Sequence, residues 1–401
     1  MVEVTRGSLV ESAHRGAIAV VDDSGHLVAS LGSAGQPFFA RSCAKPFQAL
    51  ALVCSGAADA FGLTEAELAV VCASHSGEPE HVALVESVLA KAEVSASKLV
   101  CGVHPPFDSA ARTALSARGA APSALHNNCS GKHAGMLALS RHLSLPLDGY
   151  TDPDHGVQVA IHRLFAYLAG LEPSELRIAV DGCTAPTFSL PLRAFALSLA
   201  RLAAYGEGLA VARDKSERPI EDDLEDPVDE RDDDDATDDA TEPADGGLGS
   251  AHRALPSEGV ALDDEGADFP VPVSRGLQRI WSAMKANPVV VAGSRGRLCT
   301  DLMRTAAQVG VPLVAKSGAE GGYAVALVHA GRAYGIALKV EDGAQRARDA
   351  AAIETLIQLE LLPSAARGPL AGYHHPVVLD RSDEPVGEVR ARFRLSHGLP
   401  G

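Results

Sequence analysis

The chain has 401 residues, 46% of them hydrophobic and only 4% aromatic, so a sizeable core can form but must be built from Ala, Val and Leu, as two subdomains or one elaborated domain. The formal net charge of −17 is local, because residues 217–246 alone carry 16 Asp/Glu against two Arg; the remainder is near neutral and shows no basic patch for nucleic acid or anionic lipid. Seven cysteines at irregular spacing, an N-terminus without an apolar signal region and no run long enough to span a bilayer predict a reduced, cytoplasmic, non-membrane protein without structural disulfides.

In chain order, Gly16–Val21 and His26–Leu31 are short apolar runs joined across Asp22-Asp23-Ser24-Gly25, a β-hairpin signal. Helices are predicted near 45–60, 64–72, 78–92, 130–142, 155–170, 192–204 and 275–286, and further strands at 177–180 and 289–292. Residues 214–269 carry Asp232–Asp235 in a row, Pro219, Pro227 and Pro243, and almost no aliphatic periodicity, which reads as a disordered acidic insertion. Tyr323–Val328 and Tyr334–Val340 repeat the hairpin pattern around His329-Ala330-Gly331-Arg332. Asp342 with Gln345 forms a capping-box pattern ahead of a helix over Ala347–Leu362. The predicted architecture is α/β: an antiparallel sheet made from both termini, a helical subdomain inserted between them, and one catalytic domain over 1–213 and 270–401.

Three motifs carry chemistry. Ser42-x-x-Lys45 offers a weakly acidic hydroxyl and, at i+3, an amine that becomes its base if burial lowers the lysine from ~10.4 to ~7, a change of about 4–5 kcal/mol. Pro46 is tolerated only in a first helical turn, so Ser42 belongs at the helix entrance, where N–H groups can also serve an oxyanion. Lys316-Ser317-Gly318 lies just before or on an edge strand; Ser-x-x-Lys joined to Lys-Ser/Thr-Gly is the pairing of serine β-lactamases and penicillin-binding proteins. Their intermediate serine corresponds to Ser74 in Ala73-Ser74-His75-Ser76-Gly77-Glu78, although the usual Ser-Asp-Asn is not kept.

The third motif is His126-Asn127-Asn128-Cys129-Ser130-Gly131-Lys132-His133, with Asn128 as expected N-cap, Cys129 in the first turn and Lys132 above it. Cys183 follows the apolar run 178–180 in Asp181-Gly182-Cys183. Two thiolates and a nitrogen with a fourth place for water suit zinc. His126 and His133 compete with Lys132 as the nitrogen ligand, His75, His81 and His104 read as core or surface residues, and two cysteines so far apart also read as unrelated core thiols.

Taken together, the blocks resemble the asparaginase II family of bacterial, rhizobial-type (class 3) L-asparaginases. The matching blocks are Arg41-Ser42-x-x-Lys45-Pro46-Phe47-Gln48, Ala73-Ser74-His75, residues 126–133, Asp181-Gly182-Cys183, Val291-Ala292-Gly293 leading to Cys299-Thr300-Asp301-Leu302-Met303, Lys316–Gly321 and Lys339–Gly343. They span residues 6 to about 360, leaving out the insertion and the last forty residues. The resemblance implies a serine β-lactamase-like fold, a homodimer, and two Ser–Lys tandems, Ser42 with Lys45 and Ser74 with Lys316. It also implies a zinc ion held by Cys129, Lys132, Cys183 and water, with Asp181 close by, and substrate-binding roles for Arg41, His133, Asp181, Arg297 and Gly318. The loose spacing of Ser294-Arg295-Gly296-Arg297 leaves open which arginine meets the substrate. The expected reaction is hydrolysis of L-asparagine to L-aspartate and ammonia, with Ser42 acylated, Lys45 its base, and Ser74 with Lys316 as a proton relay. Two alternatives stand beside it. One is an idle β-lactamase-like zinc-binding protein whose acidic segment recruits partners. The other is an amidase acting on glutamine or another small amide, or an enzyme acting on a β-lactam, since one methylene is worth only ~1–3 kcal/mol in a pocket.

Overall fold

The computed structural model describes residues 1–209 and 269–397, so all but the last residue of the expected insertion 214–269 lies outside the described residues. Strands β1 (Val2–Arg6) and β2 (Leu9–His14) form a first hairpin, and β3 (Gly16–Asp22) and β4 (Leu27–Leu31) a second. The second turns where Asp22 Oδ1 accepts the Ser24 and His26 N–H groups, the side-chain-to-backbone bonding that makes Asp a turn former. After β5 (Pro37–Phe39), a 3₁₀ turn at Arg41–Ala44 leads into α1 (Lys45–Cys54).

Helices α2 (Ala57–Ala60), α3 (Glu65–Val71), α4 (Pro79–Lys91), α5 (Ser109–Ala117), α6 (Ser130–His142) and α7 (Gly156–Ala169) follow. A Thr64–Glu67 capping box starts α3, and the Asp108 side chain caps α5. The hairpin of β6 (Arg177–Val180) and β7 (Pro186–Pro191) pairs with β5 in a three-stranded sheet. Then come α8 (Leu192–Gly206), α9 (Val273–Ala286), α10 (Pro288–Val291) and α11 (Leu298–Gln308). The chain ends with β8 (Leu313–Ser317), β9 (Gly322–His329), β10 (Arg332–Val340), α12 (Gln345–Gln358), α13 (Arg367–His374), β11 (Val377–Leu379), β12 (Pro385–Ala391) and β13 (Ser396–His397).

The architecture is mixed α/β with antiparallel sheets. The six-stranded sheet runs β13-β4-β3-β10-β9-β8, joining N-terminal to C-terminal strands as expected, and a four-stranded sheet β11-β12-β1-β2 does the same. Residues 17–21 of β3 are all buried and apolar, so most of this central strand is a continuous apolar run rather than an alternating one. Its neighbour β10 carries Gly335, where a Cβ would stand 1.8 Å from the Ala196 carbonyl oxygen; the missing side chain lets the α8 backbone rest on the sheet. The same economy fits an aromatic-poor core, whose largest buried side chains include Trp281, Phe165 and Phe195.

Three local expectations give way. The predicted strand at 289–292 is the short helix α10, with Pro288 at its start; a four-residue apolar run carries no period that separates strand from buried helix. Asp342 does not box with Gln345: its Oδ1 accepts the Ala344 N–H, and α12 begins at Gln345 and ends at Gln358. The N-cap of α6 is Cys129, not Asn128. Helices α5, α11 and α13 have no counterpart among the predicted elements. No helix among the described residues is long and apolar enough to cross a membrane.

Candidate active site

Pro46 occupies the first turn of α1, as its ring requires, which leaves Ser42 in the 3₁₀ turn ahead of it. Arg41 sits there in the left-handed region (φ 46°), a strained setting for a non-glycine residue, with its guanidinium on Asp181 at 3.0 and 3.2 Å. Lys45, 1% exposed, points inward. Its Nζ donates to the Ala73 carbonyl (2.6 Å), to Ser74 Oγ (3.0 Å) and to the Asn128 carbonyl (3.2 Å). Lys316, at the end of edge strand β8, donates to the same Ser74 Oγ at 2.7 Å and to the Ser317 carbonyl at 3.0 Å.

Both amines therefore converge on Ser74. The Ser74–Lys316 pair is in contact, whereas Lys45 meets Ser74 rather than Ser42, and among the described residues no hydrogen bond joins Ser42 Oγ to Lys45. Burial, then the charge of Lys45, lowers Lys316 to about 7. A neutral Lys316 accepts the Ser74 proton instead of donating to its oxygen, which makes the pair a base at neutral pH.

Ser42 and Ser74 open onto one cavity of about 420 Å³, within the range of small-molecule sites. Asn128, Ser317, Gly318 and Arg297 line it with them, Cys299, Gln345 and Arg348 also contribute, and the half-exposed Phe107 is part of its wall. At Gly318 a Cβ would lie 2.9 Å from Cys43 Sγ, so glycine lets the β8–β9 turn approach the 3₁₀ turn. Arg297 Nη2 donates to the Ser74 carbonyl (2.9 Å) and Nη1 to Ser76 Oγ (3.1 Å), while Arg295 is spent on Asp108 at 3.0 and 3.1 Å. Of the two arginines, Arg297 is the one on the cavity wall.

Behind it lies the second cluster. The Asn127 side chain accepts the Cys129 N–H (2.8 Å), and the Asn128 N–H donates to His104 Nε2 (3.0 Å), fixing the entry to α6. At Gly131 a Cβ would stand 2.0 Å from the Val70 carbonyl oxygen, so the first turn of α6 lies directly on α3. Lys132 Nζ donates to Cys183 Sγ at 3.0 Å, and Cys183 hydrogen-bonds Cys129. That bond draws the Cys129 thiol well below its usual range, and the same bond pushes Cys183 up. Burial alone would lower Lys132, but the Cys183 and Cys129 sulfurs outweigh it and raise it. Asp181, beside this cluster, is lowered: burial acts upward, and the hydrogen bond from Arg41 with the Lys132 charge acts more strongly downward.

The donor set of two sulfurs and one nitrogen, buried together, fits the ligand chemistry of zinc, provided Lys132 sheds its proton. Among the described residues no three His, Cys, Asp or Glu side chains are gathered to hold a metal. Neither competing histidine joins the sulfurs: His126 Nδ1 faces Ser123, and His133 Nδ1 meets the Tyr150 hydroxyl at 2.7 Å. His133 is fully buried, is lowered by burial and then by Lys132, and does not line the cavity.

From the sequence His104 reads as a core or surface residue, Gln345 as half of a capping box and Asn128 as an N-cap, and Arg348 belongs to no motif. In the structure the Asn128 carbonyl accepts from Lys45, and Gln345 and Arg348 reach the cavity through tertiary packing alone.

No curated protein matches the chain. Two solved structures of Mglu are similar to it. The native form in the presence of 4.3M NaCl is 16% identical, with 88% of this chain and 62% of that chain covered and a TM-score of 0.38. The native form is also 16% identical, with 89% and 67% covered and a TM-score of 0.33. The chain thus spans 62% of the length of the first of these. The profile of the family described as L-asparaginase II matches residues 2–225 and 254–391, which brings most of the last forty residues inside the match. A match of that extent, across every motif assembled above, places the chain in the L-asparaginase II family.

Proposed function

We propose that the protein is an amidohydrolase that converts L-asparagine to L-aspartate and ammonia. The observation that carries this reading is Ser74 Oγ held between Lys316 and Lys45 at 2.7 and 3.0 Å, on a cavity that also exposes Ser42, with Lys316 lowered to about 7. Neutral Lys316 takes the proton of Ser74, and Ser74 takes that of Ser42. Ser42 Oγ then bonds to the amide carbon. The proton returns through Ser74 to the departing nitrogen as the C–N bond breaks, releasing ammonia and leaving an ester. Water, deprotonated along the same path, cleaves the ester and restores Ser42.

A second reading makes Ser74 the acylated residue, because both lysines bond to it and neither to Ser42. Trapping with an asparagine analogue that bears an electrophilic diazoketone, followed by peptide mass mapping, separates the two: label on Ser42 supports the first, label on Ser74 the second. Absence of ammonia release from L-asparagine by purified protein would sink both.

The rest of the proposal rests on family membership. It comprises a serine β-lactamase-like fold, a homodimer, substrate contacts from Arg41, Asp181, Arg297 and Gly318, and zinc held by Cys129, Lys132 and Cys183. When bound, zinc would supply a Lewis-acid centre beside Asp181. Parallel assays with L-glutamine decide the amide length, which a cavity of about 420 Å³ does not restrict. The idle-protein alternative is disfavoured by two buried lysines kept on one serine, an arrangement costly to hold without a use.

A further inference from the structure

The cavity wall carries two arginines, Arg297 and Arg348, and no Asp or Glu among its described lining residues. Among the described residues Arg297 bonds only to neutral groups, the Ser74 carbonyl and Ser76 Oγ. The Lys45 ammonium and the Lys316 amine stand just behind Ser74. The carboxylate paired inside this group is Asp349, which takes Nε and Nη2 of Arg348 at 2.8 and 2.6 Å on one oxygen. The third nitrogen, Nη1, has a 3.5 Å contact with the Gly318 carbonyl, at the outer limit of a hydrogen bond. Arg348 is 8% exposed and its guanidinium lies 5.5 Å from the Tyr323 ring centroid, so a desolvated, rigidly seated cation presents underused N–H capacity to the cavity beside Gly318.

We infer that Arg348 is the receptor for the free carboxylate of the substrate, and that the cavity selects small amides bearing a carboxylate. Asp349 fixes the guanidinium from behind through Nε and Nη2, leaving Nη1 for the ligand. An anion on Nη1 also balances the arginine charge of the cavity wall at a buried guanidinium, where charge-assisted bonds are strong. The inference rests on the amidohydrolase reading for its substrate but not for its binding.

The test uses three probes. The first two are L-asparagine and the alcohol in which hydroxymethyl replaces its carboxylate, both followed by initial ammonia release. The third is succinate, a carboxylate ligand with no amide, followed by calorimetry. The variant is Arg348→Gln/Asp349→Asn, which removes both buried charges together and leaves neither unpaired; Arg348→Lys serves as a folding control. Wild type should prefer asparagine to the alcohol by at least ~10²-fold in kcat/KM, the scale of a polar site deprived of its partner. The double variant should lose ~10²-fold or more on asparagine, mainly through KM, change less than about threefold on the alcohol, and lose succinate binding. Equal losses on asparagine and the alcohol would assign Arg348 a structural role and overturn the inference, as would failure of wild type to bind succinate. Succinate binding that depends on Arg348 in a protein that releases no ammonia would uphold the receptor and reject the amidohydrolase.

Discussion

Lys316 and Lys132 are both all but fully buried, at 2% and 4% exposed, yet they are driven in opposite directions. Lys316 faces a hydroxyl, a carbonyl and the charge of Lys45, so burial and like charge act together and bring it to about 7. Lys132 faces Cys183 and Cys129, and their sulfurs more than offset the same burial. One cluster is built to lose a proton near neutrality; the other holds its proton until something stronger displaces it. Burial raises the stakes of a charge, and the partner sets the sign.

The largest effect should come from breaking the first cluster. Lys316→Ala should lower kcat by ~10²–10⁴-fold, the usual range for a lost general base, with far less effect on KM. In the wild type kcat/KM should rise with pH through about 7 as Lys316 loses its proton. Stability carries the same signature. A lysine lowered in the folded state leaves the unfolded chain holding more protons between about 7 and ~10.4, so stability should increase with pH across that window. The penalty is full below about 7. Comparison of urea unfolding for wild type and Lys316→Met between pH 6 and 9 should show the wild-type slope vanish in the variant; parallel curves would mean that Lys316 titrates normally.

Gly131→Ala sharpens the contrast from the other side. Its Cβ would fall 2.0 Å from the Val70 carbonyl oxygen, so α6 must shift away from α3 and carry Lys132 with it. A loss of about 1–3 kcal/mol is expected, the range for overpacking that moves backbone. Because Ser74, Lys45 and Lys316 lie on other elements, the variant should disturb thiol reactivity at Cys129 and Cys183 before it disturbs the pH profile of turnover. A shift of the profile with no change in thiol labelling would show that the two clusters are not separable.

Zinc offers a milder test, because the proton on Lys132 must leave before its nitrogen can bind a metal. The raised Lys132 makes that competition harsher, and the affinity of the proposed site should fall steeply as pH drops from 8 to 6. Lys132→Ala should weaken zinc binding about 10–100-fold and flatten the pH dependence, as read by chelator competition. Unchanged affinity with the slope intact would remove Lys132 from the ligand set.

The sequence carried this contrast only in part. Hairpins at 16–31 and 323–340 and the helix at 130–142 were legible because their apolar spacing and turn residues agree with the fold. The motif residues Ser74, Lys45, Lys316, Cys129, Lys132 and Cys183 were legible as types. What spacing did not convey was which amine meets which hydroxyl: Ser42 and Lys45 are three apart, yet the lysine at the start of α1 points into the core toward Ser74. Arg348 lies outside any motif, and only tertiary packing brings it to the cavity; His104, also outside any motif, reaches the entry to α6 in the same way. The run at 289–292 failed for a different reason, since four apolar residues fit a buried turn of helix as well as a strand.

The smallest effect should come from Arg295, which stands two residues from Arg297 and carries the same charge. Its side chain is 63% exposed and pairs with Asp108, whose own side chain is 5% exposed. Removing it does not strand that carboxylate, because Asp108 keeps the Ala111 N–H at 2.7 Å as cap of α5. Solvent screens the pair, and exposed ion pairs contribute ~0–1 kcal/mol. Arg295→Ala should therefore leave kcat and KM unchanged and cost less than about 1 kcal/mol. Asp108 is lowered in the folded protein, where burial is outweighed by the Ala111 bond and Arg295, so its contribution is present above the unfolded carboxylate range and fades as pH falls through the folded value. The small difference between wild type and Arg295→Ala should fade in the same acidic window and be insensitive to pH near 7, where Lys316 titrates. Arg297→Ala, with its bonds to the Ser74 carbonyl and Ser76, should by contrast lower turnover. If Arg295→Ala proves the more damaging of the two, the assignment of the cavity arginine is reversed.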